Sequence, residues 1–202
     1  MQDSDYFLEL QTQTGWGRVL SRFADWLAPQ SDWLTLDIGC GPGLLPALLA
    51  KNGCHAYGVD FNPRMFHPQP LHHQIAVADT FFLPFGSGSF DLVTASNLLF
   101  LLPDPKSVLE EMQRVLTRPG QIAVLNPAKN LNLKTATQFA NSRNLGGLPR
   151  DSLLSWASRA EAHHRWNETD LSAIFKTVGM QLTETITTVG PGFARLARAN
   201  WE

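Results

Sequence analysis

The residues best suited to bind a ligand are three glycines and the acidic residue before them. Gly39, Gly41 and Gly43 follow a short apolar run that ends near Asp37. Glycine adopts positive φ readily and lets a ligand approach the backbone closely. The G-x-G-x-G spacing differs from the G-x-G-x-x-G of loops that bind a dinucleotide pyrophosphate. It favours a zwitterionic amino acid tail, with Asp37 available to the tail's ammonium group or to the loop's own amides.

A second acidic residue, Asp60, lies about twenty residues beyond this loop, at the end of the next apolar run. In doubly wound α/β folds an acid at this place accepts hydrogen bonds from ribose hydroxyls. A carboxylate offers two oxygens, which suits a vicinal diol. Asp60 therefore predicts a ligand that contains a ribose.

The elements that position these residues alternate between short apolar runs and helical patterns, which is typical of βαβ units and a parallel sheet. We expect a leading amphipathic helix up to Leu27, and a helix opened by Asp104-Pro105 that Arg118-Pro-Gly120 ends. A further helix is predicted at 44–51 and another at 169–178. Strands are predicted at 34–38, 56–60, 75–78, 90–95 and 121–125, with two final runs at 180–189 and 193–199.

Leu36-Asp-Ile-Gly-Cys-Gly-Pro-Gly43 resembles the first motif of class I S-adenosylmethionine (SAM)-dependent methyltransferases, especially the small-molecule branch of ubiquinone and menaquinone biosynthesis. The blocks Ala78-Asp-Thr80, Leu83-Pro-Phe85 and Phe90-Asp-Leu-Val93 are also similar to that family. The resemblance implies a Rossmann-like, doubly wound α/β fold in three αβα layers. Its seven-stranded sheet would be mostly parallel with one antiparallel strand. It also implies SAM as cofactor, with S-adenosylhomocysteine (SAH) as its product.

The resemblance assigns roles to individual positions. Phe61 and Met65 would pack against the adenine ring, Asp79 would accept from the adenine amino group, and the Thr80 amide would face a ring nitrogen. Asn97 would bind cofactor or substrate. The residues expected to bind the cofactor are Asp37, Gly39, Cys40, Gly41, Gly43, Asp60, Phe61, Met65, Asp79, Thr80 and Asn97.

The end of the fourth predicted strand departs from the family pattern. Many relatives carry histidine where this chain has Leu99 or Phe100. A general base from this strand is therefore not expected, and the catalytic residue stays unknown. His163 and His164 are candidates because histidine titrates near neutral pH. In-line displacement from a sulfonium needs mainly alignment and exclusion of water.

The segment 127–166 is predicted to be inserted and to select the methyl acceptor. It holds six basic and two acidic residues, a net charge of +4 in a chain of net charge -2, which favours an anionic acceptor. A solvated helical hairpin with exposed basic residues is the alternative. The candidate acceptor-binding residues are Trp16, Phe100, Trp156 and Trp166. An aromatic wall around a planar substrate is predicted from Trp16, Trp156, Trp166, His163 and His164.

Composition limits the remaining interpretations. A chain of 202 residues with 44% hydrophobic residues predicts one domain over 1–202, with a leading helical segment at 1–30. The net charge of -2 disfavours nucleic acid as partner. Two cysteines predict reduced thiols, and an acidic N-terminus without a long apolar run predicts a cytoplasmic protein that does not insert into membranes. We expect a monomer or homodimer.

Two further questions are posed by the sequence. His67, the His72-His73 pair and the His163-His164 pair lack partners at zinc-like spacing, so no metal is expected.

Three rival functions stand beside methyl transfer to a small molecule: a SAM-binding protein without transfer activity, an NAD-dependent oxidoreductase, and a nucleic-acid or protein methyltransferase.

Overall fold

A computed structural model of the protein describes residues 3–66 and 74–202. These residues form one sheet flanked by helices, and none of their helices is long and apolar enough to cross a membrane. The strands are β1 (Leu34–Ile38), β2 (His55–Asp60), β3 (Gln74–Val77), β4 (Phe90–Ser96), β5 (Leu116–Pro127), β6 (Met180–Thr188) and β7 (Ala194–Trp201). The helices are α1 (Asp3–Gln13), α2 (Trp16–Leu27), α3 (Leu44–Lys51), α4 (Pro105–Val115), α5 (Leu133–Ser142), α6 (Gly147–Ala162) and α7 (Glu168–Lys176).

The strand order β3-β2-β1-β4-β5-β7-β6 confirms the predicted doubly wound sheet. Strands β1 to β5 pair in parallel, whereas β7 runs antiparallel to both β5 and β6. The strand order reverses at β1, whose neighbours are β2 and β4. In open α/β sheets, ligands bind at the carboxyl ends of the strands at such a point.

Alternation along the strands buries both faces of the sheet. Leu36 and Ile38 face the cluster formed with α4 and α7, which includes Met112 and Phe175. The opposite face packs against α2 and α3 through residues such as Phe23. A central strand that is buried on both sides holds its carboxyl end in a fixed position, and this end begins the glycine loop.

Capping and hydrophobic periodicity explain the best-predicted elements. β1 and α3 have the predicted bounds. The Asp104 carboxylate accepts from the Ser107 amide at 3.2 Å and so caps α4, as the Asp-Pro pair indicates. In the same way, the Asn62 side chain accepts from the Arg64 amide and opens a short 3-10 helix, Pro63–Met65.

The leading segment differs from the prediction because it forms two helices, α1 and α2, rather than one. The chain breaks between them at Thr14, whose hydroxyl accepts from the Trp16 amide at 3.1 Å and competes with the helical pattern. Val19, Phe23 and Leu27 are buried along α2, as their spacing predicts. α1 packs beside Pro63–Met65 and α6, at the carboxyl edge of the sheet.

The expectation that Arg118-Pro-Gly120 precedes the fifth strand is wrong, because β5 already begins at Leu116. A register shift in the pairing with β4 accommodates the additional residues. The Arg118 guanidinium stacks on the Trp201 ring at 3.9 Å, and the Trp201 indole donates to the Thr117 carbonyl at 2.7 Å. These long-range contacts hold the stretch against β7 and extend the strand.

The segment 127–166 forms the helices α5 and α6, which pack together. A small apolar cluster joins them to the start of β7, and it includes Ala136, Ala157, Ala160 and Phe193. Asn132 caps α5 in a reciprocal capping box with Thr135. We refer to α5 and α6 together as the helical pair.

Candidate functional site

The glycine loop leaves β1 at the carboxyl edge of the sheet and has the backbone conformation that its glycines predict. Gly39, Gly41 and Gly43 all have positive φ, at 66°, 54° and 88°. The Cys40 amide donates to the Val59 carbonyl at 3.0 Å, which ties the loop to β2. A Cβ atom added at Gly41 would meet no heavy atom within 4 Å. The loop is therefore open at Gly41, where a ligand can approach its backbone.

Asp60 holds this loop in shape. Its Oδ2 accepts from the Gly41 amide at 2.9 Å, and its Oδ1 accepts from the Asn62 amide at 2.9 Å. Each carboxylate oxygen has a further lone pair, so the group can accept additional hydrogen bonds from a ligand diol. Asp60, and not Asp37, thus accepts from this loop amide, and the ammonium group of a ligand tail is the other partner predicted for Asp37.

Asp37 lies below the loop, buried on the face that also carries Thr94. Its side chain is 2% exposed, and its Oδ1 accepts from the Thr94 hydroxyl at 2.8 Å. Burial, opposed by this hydrogen bond and aided by the charge of Asp60, raises the pKa of Asp37 to about 7. Thr94 is a site residue that the sequence did not indicate, because β-sheet register alone pairs it with Asp37.

Cys40 contributes its backbone to the loop, and its thiol donates to the Gly41 carbonyl at 3.6 Å. The Cys40 Sγ atom would lie 2.8 Å from a Cβ atom added at Gly58. Burial raises the pKa of this thiol, so it stays protonated. Cys40 and Cys54 are both free and buried.

Aromatic side chains surround the ends of β2 and β3. Phe61 is 72% exposed and Phe82, which the sequence did not single out, is 80% exposed. Asp79 caps the turn by accepting from the Phe81 amide at 2.9 Å, and Thr80 is buried beside it. Exposed aromatic rings beside a carboxylate suit a planar ligand ring that carries polar groups at its edge. Met65, at the end of the 3-10 helix Pro63–Met65, is half-buried and lies four residues after Phe61 in the sequence.

At the end of β4, Asn97 meets the helical pair. The Trp156 indole donates to Asn97 Oδ1 at 3.1 Å, and Trp156 contacts Trp16 edge-to-face with ring centroids 5.5 Å apart. Leu98 contacts the glycine loop, because its side-chain atoms lie 3.0–3.3 Å from a Cβ atom added at Gly39. The structure therefore brings Asn97, Trp156 and Trp16 together beside the loop.

The other predicted aromatic residues lie elsewhere. Phe100 is 2% exposed, and Trp166 is 7% exposed and packs in the cluster on the α4 and α7 face. Trp16 and Trp156 pack against the cluster of the opposite face. Trp16 and Trp156 therefore lie on the opposite face of the sheet from Trp166.

His163 and His164 line a shallow depression just outside Phe100. The His164 amide donates to the Phe100 carbonyl at 3.3 Å. Lys129 forms an ion pair with Asp170 at 3.1 Å, and the Arg165 guanidinium donates to the carbonyls of Lys129 and Leu131. The residues that line this depression are Lys129, His163, His164, Arg165, Trp166 and Asp170.

No three His, Cys, Asp or Glu side chains converge on a metal position within residues 3–66 and 74–202. His67, His72 and His73 lie outside the described residues.

Comparison with known proteins finds a family match for the part of the chain that carries the glycine loop. A family model described as a methyltransferase domain matches residues 36–124, the stretch from β1 to β5 that carries the glycine loop, Asp60, Asp79 and Asn97. Residues 36–124 thus match a methyltransferase domain.

Curated relatives of this methyltransferase domain match over part of their length. An uncharacterized methyltransferase of Mycobacterium sp. (strain JLS) is 40% identical over 94 residues, 45% of this chain and 37% of that protein. A demethylmenaquinone methyltransferase of Lactobacillus johnsonii is 32% identical over 62% of this chain and 55% of its own length. A ubiquinone biosynthesis O-methyltransferase of Idiomarina loihiensis is 28% identical over 64% and 53%. The chain thus spans only about a third to a half of these relatives.

Solved structures show the same fold. The magnesium protoporphyrin IX methyltransferase of Synechocystis PCC 6803 with bound SAH superposes with a TM-score of 0.68 at 17% identity, covering 97% of this chain and 88% of that one. The same enzyme with bound SAM gives a TM-score of 0.64 over 92% and 79%. At this identity the superposition establishes the fold of the methyltransferase domain and leaves its acceptor open.

The raised pKa of Asp37 predicts a pH-dependent stability. The folded state favours the protonated form of the Asp37 carboxyl. The stability that this protonated carboxyl contributes is therefore lost as the pH rises from 3.8, the ordinary pKa of aspartate, through about 7. Asp37→Asn removes this titration. In urea unfolding without ligand, the free energy of unfolding of the variant should rise relative to that of the wild type by on the order of 2–4 kcal/mol between pH 5 and pH 8. A difference that stays constant with pH would show that Asp37 keeps an ordinary pKa.

Proposed function

We propose that the protein binds SAM at the carboxyl edge of β1, β2 and β4 and transfers its methyl group to a small-molecule acceptor. One observation carries this proposal: the Asp60 carboxylate holds a glycine loop whose open backbone lies beside the buried carboxyl of Asp37. An acid beside an accessible loop suits an amino acid tail, and an acid at the next strand end suits a ribose.

The residues present fit the three parts of SAM. Asp37 is a buried carboxyl whose hydrogen-bond partner is a neutral hydroxyl, so an ammonium group would supply the missing positive charge. Asp60 has lone pairs for the ribose hydroxyls. The exposed rings of Phe61 and Phe82 would cover the adenine ring, with Asp79 at its edge.

The chemistry asks little of the protein beyond alignment. SAM supplies a methyl group on a sulfonium, which is already a strong leaving group. The acceptor's lone pair would form a bond to the methyl carbon as the carbon–sulfur bond breaks, with the electron pair of that bond staying on sulfur. Asn97, Leu98 and Trp156 lie beside the loop and would fix the acceptor's approach and exclude water. Leu99 and Phe100 are buried hydrocarbon side chains without a proton acceptor, so neither position provides a base.

We infer that the acceptor is anionic and that the helical pair covers it within a single domain. The support is the excess of basic residues in 127–166 and the depression that contains Lys129, Arg165 and two histidines. Relatives named for demethylmenaquinone, ubiquinone biosynthesis and magnesium protoporphyrin IX support a small molecule. If a side chain accepts the acceptor's proton, His163 and His164 are the candidates.

Replacing Asp60 should test the cofactor site directly. Asp60→Ala removes the group that orders the loop and meets the ribose, so SAM and SAH affinity should fall below detection in titration calorimetry while the far-UV spectrum stays native. Asp151→Ala, at an exposed carboxylate on α6, is the matched control and should bind as the wild type does. Unchanged affinity in Asp60→Ala, or wild-type binding of NAD without SAM, would contradict the proposed site.

The anionic acceptor can be tested by methyl labelling. The protein is incubated with methyl-labelled SAM and a metabolite extract, and the products are separated by anion exchange. The label should appear in retained, anionic products because the basic residues of the segment 127–166 attract them. Label confined to neutral products would contradict the acceptor class, and SAM binding without any labelled product would favour a binding protein that lacks transfer activity.

A further inference from the structure

The carboxamide of Asn97 has a fixed orientation at the end of β4. Its Oδ1 faces the Trp156 indole N–H at 3.1 Å. An indole N–H only donates, so the atom it meets must be the amide oxygen. The NH2 group therefore points away from Trp156. Within residues 3–66 and 74–202, no protein acceptor meets this NH2 group.

The backbone at Asn97 supports a functional role for this orientation. Its φ is 54°, in the left-handed region, and its amide donates to the Leu125 carbonyl at 2.7 Å. Asparagine tolerates this conformation better than most residues, yet it carries a cost that surrounding contacts must offset. The Trp156 hydrogen bond and the contact of Trp156 with Trp16 are such contacts.

Asn97 is adjacent to the half of the loop that follows Asp37. β1 and β4 pair in parallel up to Ile38 and Ala95, so Gly39 and Asn97 leave the same edge within two residues of that pair. Leu98 then contacts Gly39. An oriented amide donor and a buried carboxyl thus stand at the ends of neighbouring strands.

We propose that the Asn97 NH2 group donates to the α-carboxylate of the cofactor's amino acid tail, and that Trp156 is the positioning residue that orients it. This inference rests on the proposed function. A zwitterionic tail needs an acceptor for its ammonium group and a donor for its carboxylate. Asp37 supplies the first in its ionised form, and an ionised carboxylate cannot donate to the second. Since Trp156 belongs to the helical pair, the segment assigned to the acceptor also sets cofactor affinity.

A pair of ligands isolates the carboxylate. SAH carries both tail charges, whereas decarboxylated SAH keeps the ammonium group and lacks the carboxylate. Titration calorimetry of both ligands with wild type, Asn97→Asp and Trp156→Phe gives the preference for SAH in each protein. Asn97→Asp keeps size and tolerance of positive φ, and still accepts from Trp156, but presents an oxygen where the NH2 stood. Trp156→Phe keeps an aromatic ring against Trp16 and removes the N–H.

The wild type should prefer SAH by about tenfold or more, the range of a hydrogen bond to a charged group. Asn97→Asp should abolish or reverse this preference, and Trp156→Phe should reduce it several-fold. A purely structural role would weaken both ligands equally, so equal or unchanged preference in Asn97→Asp overturns the inference even if Trp156→Phe fails to fold. A wild type that binds neither ligand would instead overturn the proposed function, and this inference with it.

Discussion

The hydrogen bond from the Gly41 amide to the Asp60 carboxylate, 2.9 Å long, joins the loop after β1 to the end of β2. Three residues of positive φ give that loop many alternative shapes, and the carboxylate selects one of them. The Asn62 amide holds the other oxygen, so the acid itself is fixed. This constraint keeps the backbone open at Gly41. The burial of Asp37 and the contact of Leu98 with the loop depend on it as well.

The sequence predicts those features whose cause is local. β1, α3 and the caps at Asn62 and Asp104 follow from hydrophobic periodicity and side-chain hydrogen bonds that span a few residues. The acids at the ends of β1 and β2 are predicted for the same reason, because each ends an apolar run. Local signals failed at Arg118-Pro-Gly120, where contacts with the distant Trp201 extend the strand.

The hydrogen-bond partners of the site residues could not be predicted from the sequence, because each partner is many residues away along the chain. Thr94 and Asp37 are 57 residues apart, and Trp156 and Asn97 are 59 apart. Sheet register decides the first pair and the packing of α6 decides the second. Phe82 was missed since an exposed phenylalanine in a turn carries no periodicity. Trp166 was predicted to bind the acceptor but packs in the core cluster on the α4 and α7 face. Its aromatic type alone does not tell which face of the sheet the side chain joins.

The central claim is that this edge of the sheet is built around Asp60 and the glycine loop to hold SAM. A crystal structure of the complex with SAH tests it most directly. The account predicts ribose hydroxyls within hydrogen-bonding distance of the Asp60 carboxylate and the amino acid tail along Gly39 to Gly43. SAH bound at another part of the surface, with the Asp60 carboxylate making no contact to the ligand, would contradict the account.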